Sequence, residues 1–402
     1  MKLNIFKRKK RVHLDYASTT PVSPRVYEAM RPYWSEKWAN PSAIYQEGVR
    51  AREAIEKARL ELARTLHVRP AGLTFTSGGT ESNNLALIGT VEAEHERGER
   101  YEEMEIISTR VEHPSILETL SYLTRRGVQV KYASVGESGL LMAQSVEALL
   151  SDRTIMVTCA YVNSEVGVIN DVKAITRAVR KWNEMHSASV RVHLDASQAP
   201  LWLSCELDML GIDLMTLDAG KCFGPKGAGV LARRHGVDLS PILYGGGQEH
   251  GLRSGTENAA LIVGCVRAIV DAQHAYEERS EKVRVLRDYF FDLLKREIPH
   301  VIENGNRDER VANNVNISLP GMDTEYAVIW LDTKGIACST KSACGMKGKD
   351  GSSVIREMTH DEERARSTIR FTLGEETTRE DIRRAVDALK EHLTLTAMAK
   401  RN

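Results

Sequence analysis

Short apolar runs alternate with stretches of helical periodicity through the first two thirds of the chain. The runs at 73–76, 106–108, 128–132, 155–159, 190–194, 214–217 and 229–231 read as strands. Between them, 81–92, 114–125, 146–150 and 172–186 carry apolar residues at helical spacing. Strands alternating with helices predict a mostly parallel sheet covered on both faces. Such a sheet takes its ligand at the carboxyl ends of its strands. After Gly255 the texture changes. A long helical stretch is expected over 257–298, with Leu261, Cys265, Ala268, Ile269 and Ala272 on its apolar face. Strands then follow at 315–319, 336–339 and 368–372, with helices at 324–333 and 379–393. The pattern divides the chain into a basic tail (1–13), a large α/β domain (14–256), a smaller α+β domain (257–395) and a second tail (396–402). The first residues of the large domain are candidates to pack on the small one.

Composition narrows the function classes. The chain has 402 residues, 42% of them hydrophobic and 27% charged, values that exclude a disordered, collagenous or disulfide-dense protein. Lys plus Arg and Asp plus Glu both number 55, so no overall charge draws the chain to nucleic acid or to an anionic membrane. No apolar run reaches the roughly 18 residues of a membrane helix, so stable membrane insertion is not expected. The six cysteines form no CxxC pair, which suggests reduced thiols in a cytoplasmic protein and no zinc site. The first eleven residues, MKLNIFKRKKR, are basic but lack the apolar core of a secretory signal. They read as a solvated tail, with a weak acidic-surface anchor through Ile5 and Phe6 as the sharper alternative.

Three segments carry candidate chemistry. Thr76-Ser77-Gly78-Gly79-Thr80-Glu81-Ser82-Asn83 leads from a strand into a helix. Free N–H groups at a helix start favour an anion such as phosphate, although a plain capped helix would look the same. His193-Leu194-Asp195-Ala196-Ser197-Gln198 puts an acid at a strand's carboxyl end. Taken alone, it is equally a turn or cap residue. Asp218-Ala219-Gly220-Lys221-Cys222-Phe223-Gly224-Pro225-Lys226-Gly227 sets a lysine just after a buried strand. That lysine is either a Schiff-base former or an exposed loop residue. Together the three supply an amine, an acid and a phosphate cup, the set a pyridoxal phosphate (PLP) site needs.

The chain resembles the NifS/IscS-type cysteine desulfurases, fold-type I PLP enzymes of the class V aminotransferase group. The resemblance runs over about 12–393 and rests on LDYASTTP (14–21), NPSAIYQEG (40–48), TSGGTESNN (76–84), EHPSILET (112–119), VNSEVGVIND (162–171), HLDASQ (193–198), GKCFGPKGAG (220–229), GGGQEHGLRSGTEN (245–258), SACG (342–345) and STIRFTLG (367–374). It implies a seven-stranded, mostly parallel sheet and conversion of L-cysteine to L-alanine, with sulfur passed through a cysteine persulfide to an acceptor protein. That acceptor would be an iron–sulfur scaffold or a tRNA-thiolation enzyme. It further implies that Lys221 holds PLP covalently, Asp195 pairs with the pyridine nitrogen and Gln198 reaches the ring oxygen, while Ser164 stands at a cofactor position where the family's ring-oxygen contact is shortened or lost. His113 would stack on the ring and move protons, while Gly79 and Thr80 bind the phosphate. Thr256 would add a phosphate contact across a homodimer, Asn40 and Arg370 would hold the substrate carboxylate, and Cys344 would accept the sulfur. The polar, glycine-rich run after Cys344 is expected to form a long loop.

Three departures stand out. The family's Ser-x-His-Lys is Asp218-Ala219-Gly220-Lys221 here, its Asn-Asn-Glu is Asn163-Ser164-Glu165, and the histidine of its NPSSxH segment is Tyr45. The first removes two phosphate donors and adds a carboxylate. Alternatives are another class V reaction, such as a selenocysteine lyase or an aminotransferase, and a binding homologue that takes no PLP.

Overall fold

In the computed structural model, residues 11–340 and 351–399 are described. Twelve strands are present among them. They are β1 (Val12–His13), β2 (Leu73–Thr76), β3 (Glu105–Ser108), β4 (Gln129–Tyr132), β5 (Thr154–Ala160), β6 (Arg191–Asp195), β7 (Leu214–Asp218), β8 (Gly229–Arg233), β9 (Ile302–Glu303), β10 (Asn314–Ser318), β11 (Ile336–Ala337) and β12 (Thr368–Thr372). Seven of them form the large sheet in the order β2-β8-β7-β6-β5-β3-β4. All its pairings are parallel except those of β8, which runs antiparallel to both β2 and β7.

Alternation along the central strands sends neighbouring residues to opposite faces. Ile106 and Met156 pack with Leu85 and Leu120 in one core, whereas Ile107 and Val157 pack with Val179 and Leu194 in the other. Burial on both faces explains why these strands read as short apolar runs and not as alternating ones. The strand order reverses between β5 and β3, so a crevice opens there at the carboxyl ends.

A second sheet, β12-β10-β9, is antiparallel, and β1 runs parallel to β11 in a third. An isolated bridge joins Asp15 to Thr372. The segment after β1 therefore leaves these strands and crosses to the carboxyl edge of the large sheet.

Two elements differ from the sequence reading. The stretch expected as one helix over 257–298 is two helices, Ala259–His274 and Tyr276–Glu297, broken at Ala275 (φ −127°, ψ 12°). The Arg279 guanidinium donates to the carbonyls of Ala272 and Leu201, which satisfies an acceptor at the broken helix end. The 20-residue helix Gln46–Thr65 was not read from the pattern at all. Its buried stripe of Ala51, Ile55, Ala58 and Leu62 is half alanine and is diluted by charged neighbours. That stripe packs on the helix Ala259–His274.

A buried ion pair ties the helix Gln46–Thr65 to the sheet edge. Arg59 donates to Glu249 at 2.8 and 3.1 Å and to the Leu73 carbonyl at 2.8 Å, and Glu249 also accepts the Phe75 N–H at 2.9 Å. The two side chains are only 4% and 2% exposed. Removing one partner of such a pair strands a buried charge and costs about 3–5 kcal/mol. Glu249→Ala should therefore lower stability to urea unfolding by about that amount, and a loss under about 1 kcal/mol would show the pair to be dispensable.

A second buried acid, Glu112, lies in the turn after β3. The Thr109 hydroxyl donates to its Oε1 at 2.6 Å, and Oε2 has no partner among the described residues. Burial pushes this carboxyl from 4.5 up to about 8, with the nearby Asp195 adding to the rise and the Thr109 bond opposing it. A carboxyl raised on folding stabilises the native state below its unfolded value, and that stabilisation is lost as pH rises through the folded value. Glu112→Gln cannot lose it. The stability of this variant relative to the parent should therefore climb between about pH 5 and pH 8. A difference that stays flat across this window, measured by denaturant titration, would show that the carboxyl ionises normally.

Candidate active site

Five of the strands ending at the carboxyl edge deliver chemical groups to the crevice. A cavity of about 130 Å³ lies there, walled by groups from the turns after β2, β3, β5, β6 and β7, by β12 and by the segment after β1. Lys221 closes the single turn Ala219–Lys221 that follows β7. Its ammonium donates to the carbonyls of Ser18 (2.6 Å) and Ala17 (3.1 Å). The Gln198 amide donates to the same Ala17 carbonyl at 3.0 Å.

Asp195 is the last residue of β6 and is buried. Its Oδ1 accepts from the Ser197 N–H (3.0 Å) and hydroxyl (2.6 Å), and its Oδ2 accepts from the Asn83 amide at 2.8 Å. The second amide hydrogen of Asn83 goes to the Ser115 hydroxyl oxygen at 2.8 Å. With that oxygen already accepting, the Ser115 hydroxyl donates to His113 Nδ1 at 2.8 Å, and the Ser115 N–H reaches the same nitrogen at 3.1 Å. His113 is thus the N-cap of the helix Pro114–Arg125. Because Nδ1 is an acceptor, the neutral ring carries its proton on Nε2. Burial holds the imidazole below its ordinary value of 6.5, and Lys221 reinforces the shift while Asp195 opposes it.

Gly78 (φ 146°) caps the 18-residue helix Gly79–Glu96. Glycine is required where β8 passes this turn, since a Cβ on Gly229 would lie 2.6 Å from the Gly78 backbone. Glu81 Oε2 accepts the Ser77 N–H at 2.7 Å, and Arg253 donates to its other oxygen at 3.0 Å. These bonds hold the Glu81 carboxyl below its usual range against the opposing effect of burial, which is the largest single influence. At the helix start the Gly79 N–H donates to Asp218 Oδ2 (3.2 Å), and the Gly220 N–H donates to Asp218 Oδ1 (2.8 Å). Thr80 stands at the same wall of the cavity.

Arg370 reaches in from β12 and is almost wholly buried. It donates to the Ser164 carbonyl (2.7 Å), to Asp15 (2.9 Å) and to the Ser18 hydroxyl (3.0 Å), and its Nε has no partner among the described residues. Ser164 lines the cavity, and it is its backbone carbonyl that meets Arg370.

Of the residues singled out in the sequence, Lys221, Asp195, Gln198, His113, Gly79, Thr80, Ser164 and Arg370 line this one cavity. Asn40 and Thr256 do not. Asn40 is exposed and its Oδ1 accepts the Ser42 N–H, and Thr256 is exposed as well. Cys344 lies outside the described residues. The sequence reading missed Asn83, Ser115, Ser197 and Ser18. Asn83 and Ser115 both sat inside quoted segments, and Asn83 is one helical turn beyond Gly79, on the same face. Among the described residues no group of three or more His, Cys, Asp or Glu is arranged to hold a metal ion.

Known proteins resemble this chain over nearly its whole length. A protein named "Cysteine desulfurase IscS" from Dictyoglomus turgidum is 36% identical over 382 residues, covering 95% of this chain and 94% of its own. "Cysteine desulfurase IscS 1" from Archaeoglobus fulgidus is 36% identical over 378 residues, with 94% and 95% covered. Among solved structures, a "NIFS-LIKE PROTEIN" superposes with a TM-score of 0.88 at 32% identity, covering 96% of this chain and 100% of that one. A structure described as "SspA in complex with cysteine" gives 0.77 at 31% identity, covering 91% and 100%. The aminotransferase class-V pattern spans residues 12–385, and with the sheet, the crevice and the lysine all falling inside that span, the chain belongs to the aminotransferase class-V family.

Proposed function

We propose that this chain is a PLP-dependent cysteine desulfurase that converts L-cysteine to L-alanine and carries the sulfur away on Cys344. One observation carries the reading. A lysine amine, a buried carboxylate, a neutral imidazole and a guanidinium with one free N–H converge in one cavity at the strand switch point.

The donor set fits the cofactor. The Gly79 N–H already binds an anion, the Asp218 carboxylate, at the end of the cavity where a phosphate is expected. When bound, PLP supplies an aldehyde that condenses with amines and a ring that accepts the electron pair of a broken Cα–H bond. Lys221 is assigned the covalent attachment and the Cα proton. Its amine is held only by two backbone carbonyls, so it can exchange partners. Asp195, fixed by three donors, is an oriented acceptor for the ring nitrogen, and Gln198 is assigned the ring oxygen. His113, its Nδ1 held by Ser115 and its Nε2 the exchangeable nitrogen, is assigned as the acid/base for the substrate thiol. Arg370 keeps Nε for the substrate carboxylate. Asn40 is assigned to the same carboxylate on its NPSAIYQEG segment. Thr256, outside the cavity of the single chain, is assigned to the phosphate of a second copy in a homodimer.

The sulfur step balances as a displacement. The Cys344 thiolate attacks the substrate sulfur, the C–S bond breaks with its pair remaining on the three-carbon fragment, and that fragment takes up a proton to leave as alanine. L-cysteine and an enzyme thiol thus give L-alanine and an enzyme persulfide. The persulfide then passes to an acceptor protein of iron–sulfur assembly or tRNA thiolation. We place this activity in the cytoplasm. No described helix is long and apolar enough to cross a membrane.

Borohydride reduction of the PLP-loaded protein, followed by peptide mapping, should put the pyridoxyl group on Lys221. A tag on another residue, or none, overturns the reading. Cys344→Ala should keep the cofactor's visible absorption and lose the persulfide mass, and undiminished sulfur release from it would remove Cys344 from the mechanism. His113→Gln should lower alanine formation on the order of 10²–10⁴-fold while PLP stays bound. A change under about threefold, against that range, would deny the imidazole its proton-transfer role.

A further inference from the structure

We propose that Asp218 is an internal anion seated on the phosphate donors, which must give up its hydrogen bonds when the cofactor's phosphate enters. It thereby determines how tightly this chain holds PLP. The inference rests on the PLP reading above.

The carboxylate bridges the two elements that frame the cup. Oδ2 accepts the N–H of Gly79, the first residue of the helix Gly79–Glu96, and Oδ1 accepts the N–H of Gly220, next to Lys221. The carboxylate sits close to Gly220, where an added Cβ would lie 3.2 Å from Oδ1. At Gly79 an added Cβ would meet Ser197 Oγ first, at 2.9 Å, with Oδ2 at an ordinary contact distance of 3.4 Å.

Nothing cationic neutralises it, since Asp218 forms no ion pair among the described residues. Lys226, whose side chain passes Gly220, spends its ammonium on the Thr20 carbonyl. A phosphate dianion drawn to the Gly79 N–H and to Thr80 would meet a negative group already holding one of those donors. Like charges at such range repel, and the carboxylate and the phosphate compete for the same N–H. The aldehyde, the ring nitrogen and the ring oxygen are assigned to Lys221, Asp195 and Gln198, none of which shares a donor with Asp218. The direct competition for the Gly79 N–H therefore falls on the phosphate.

The test compares PLP with pyridoxal, which has the same aldehyde and ring but no phosphate. Dissociation constants for both are measured by titration of the purified full-length protein, followed by absorbance and trapped with borohydride. Asp218→Asn keeps an acceptor for one N–H, and Asp218→Ser adds a hydroxyl donor. Circular dichroism and thermal unfolding verify that each is folded. Both variants should bind PLP on the order of 10- to 100-fold more tightly than the parent, with no comparable tightening of pyridoxal. Inorganic phosphate should raise the unfolding temperature of the variants more than that of the parent.

Unchanged or weaker PLP affinity in both folded variants overturns the role given to Asp218 and leaves the desulfurase reading intact. Equal tightening of PLP and pyridoxal also overturns it, since the effect would not belong to the phosphate. Failure of parent and variants alike to take up PLP at any concentration sinks both proposals. Should one variant fail to fold, the other decides.

Discussion

A carboxylate at the end of a buried parallel strand must be met by donors, and at Asp195 the way this is done organises the whole site. Its three hydrogen bonds come from two directions, the Ser197 turn that follows β6 and Asn83 on the helix that follows β2. Asn83 has two amide hydrogens, and both are used. The second runs to Ser115, whose hydroxyl in turn fixes Nδ1 of His113. The Ser115 backbone N–H, donating to Nδ1 as well, fixes that nitrogen as an acceptor, so the imidazole proton sits on Nε2 while the side-chain network ties the ring to the acid. Buried polar chains of this kind are costly if incomplete and specific if complete. Only Asn83 Oδ1 is left over.

The two larger sheets are tied at the same place. The segment after β1 begins beside the antiparallel sheet and then lays the Ala17 and Ser18 carbonyls against Lys221 and the Ser18 hydroxyl against Arg370. Lys221 follows β7 of the seven-stranded sheet, and Arg370 lies on β12 of the antiparallel one. Both of the site's principal cations are therefore positioned against one short stretch of chain.

Much of this was legible in the sequence because the large sheet is buried on both faces. Continuous apolar runs mark such strands plainly, and the chemical groups sit at their carboxyl ends, where Asp195 and Lys221 were sought. Other features depend on tertiary contacts that a pattern does not carry. Half of the buried stripe of the helix Gln46–Thr65 is alanine, and the break at Ala275 is met by a tertiary bond from Arg279 to the Ala272 carbonyl. Asn83 and Ser115 look like ordinary helix polar residues until the fold brings them between Asp195 and His113. Asn40 and Thr256 had only the motif to recommend them, and the single chain leaves both outside the cavity.

Asp218 illustrates how one residue can be favourable in one state and unfavourable in another. The N–H groups of Gly79 and Gly220 point into a partly buried cup, and a donor left without an acceptor there costs about 1–3 kcal/mol. A serine and a histidine in place of Asp218 and Gly220 would offer donors to a phosphate, but no acceptor as strong as a carboxylate for these two amides before it arrives. The aspartate satisfies them at once and joins the helix start to the turn that carries Lys221. What stabilises the chain without its cofactor must be undone to admit the phosphate, because a ligand gains only the difference between its own interactions and those it displaces. The same two hydrogen bonds that keep the Lys221 turn in register therefore set the threshold for loading it.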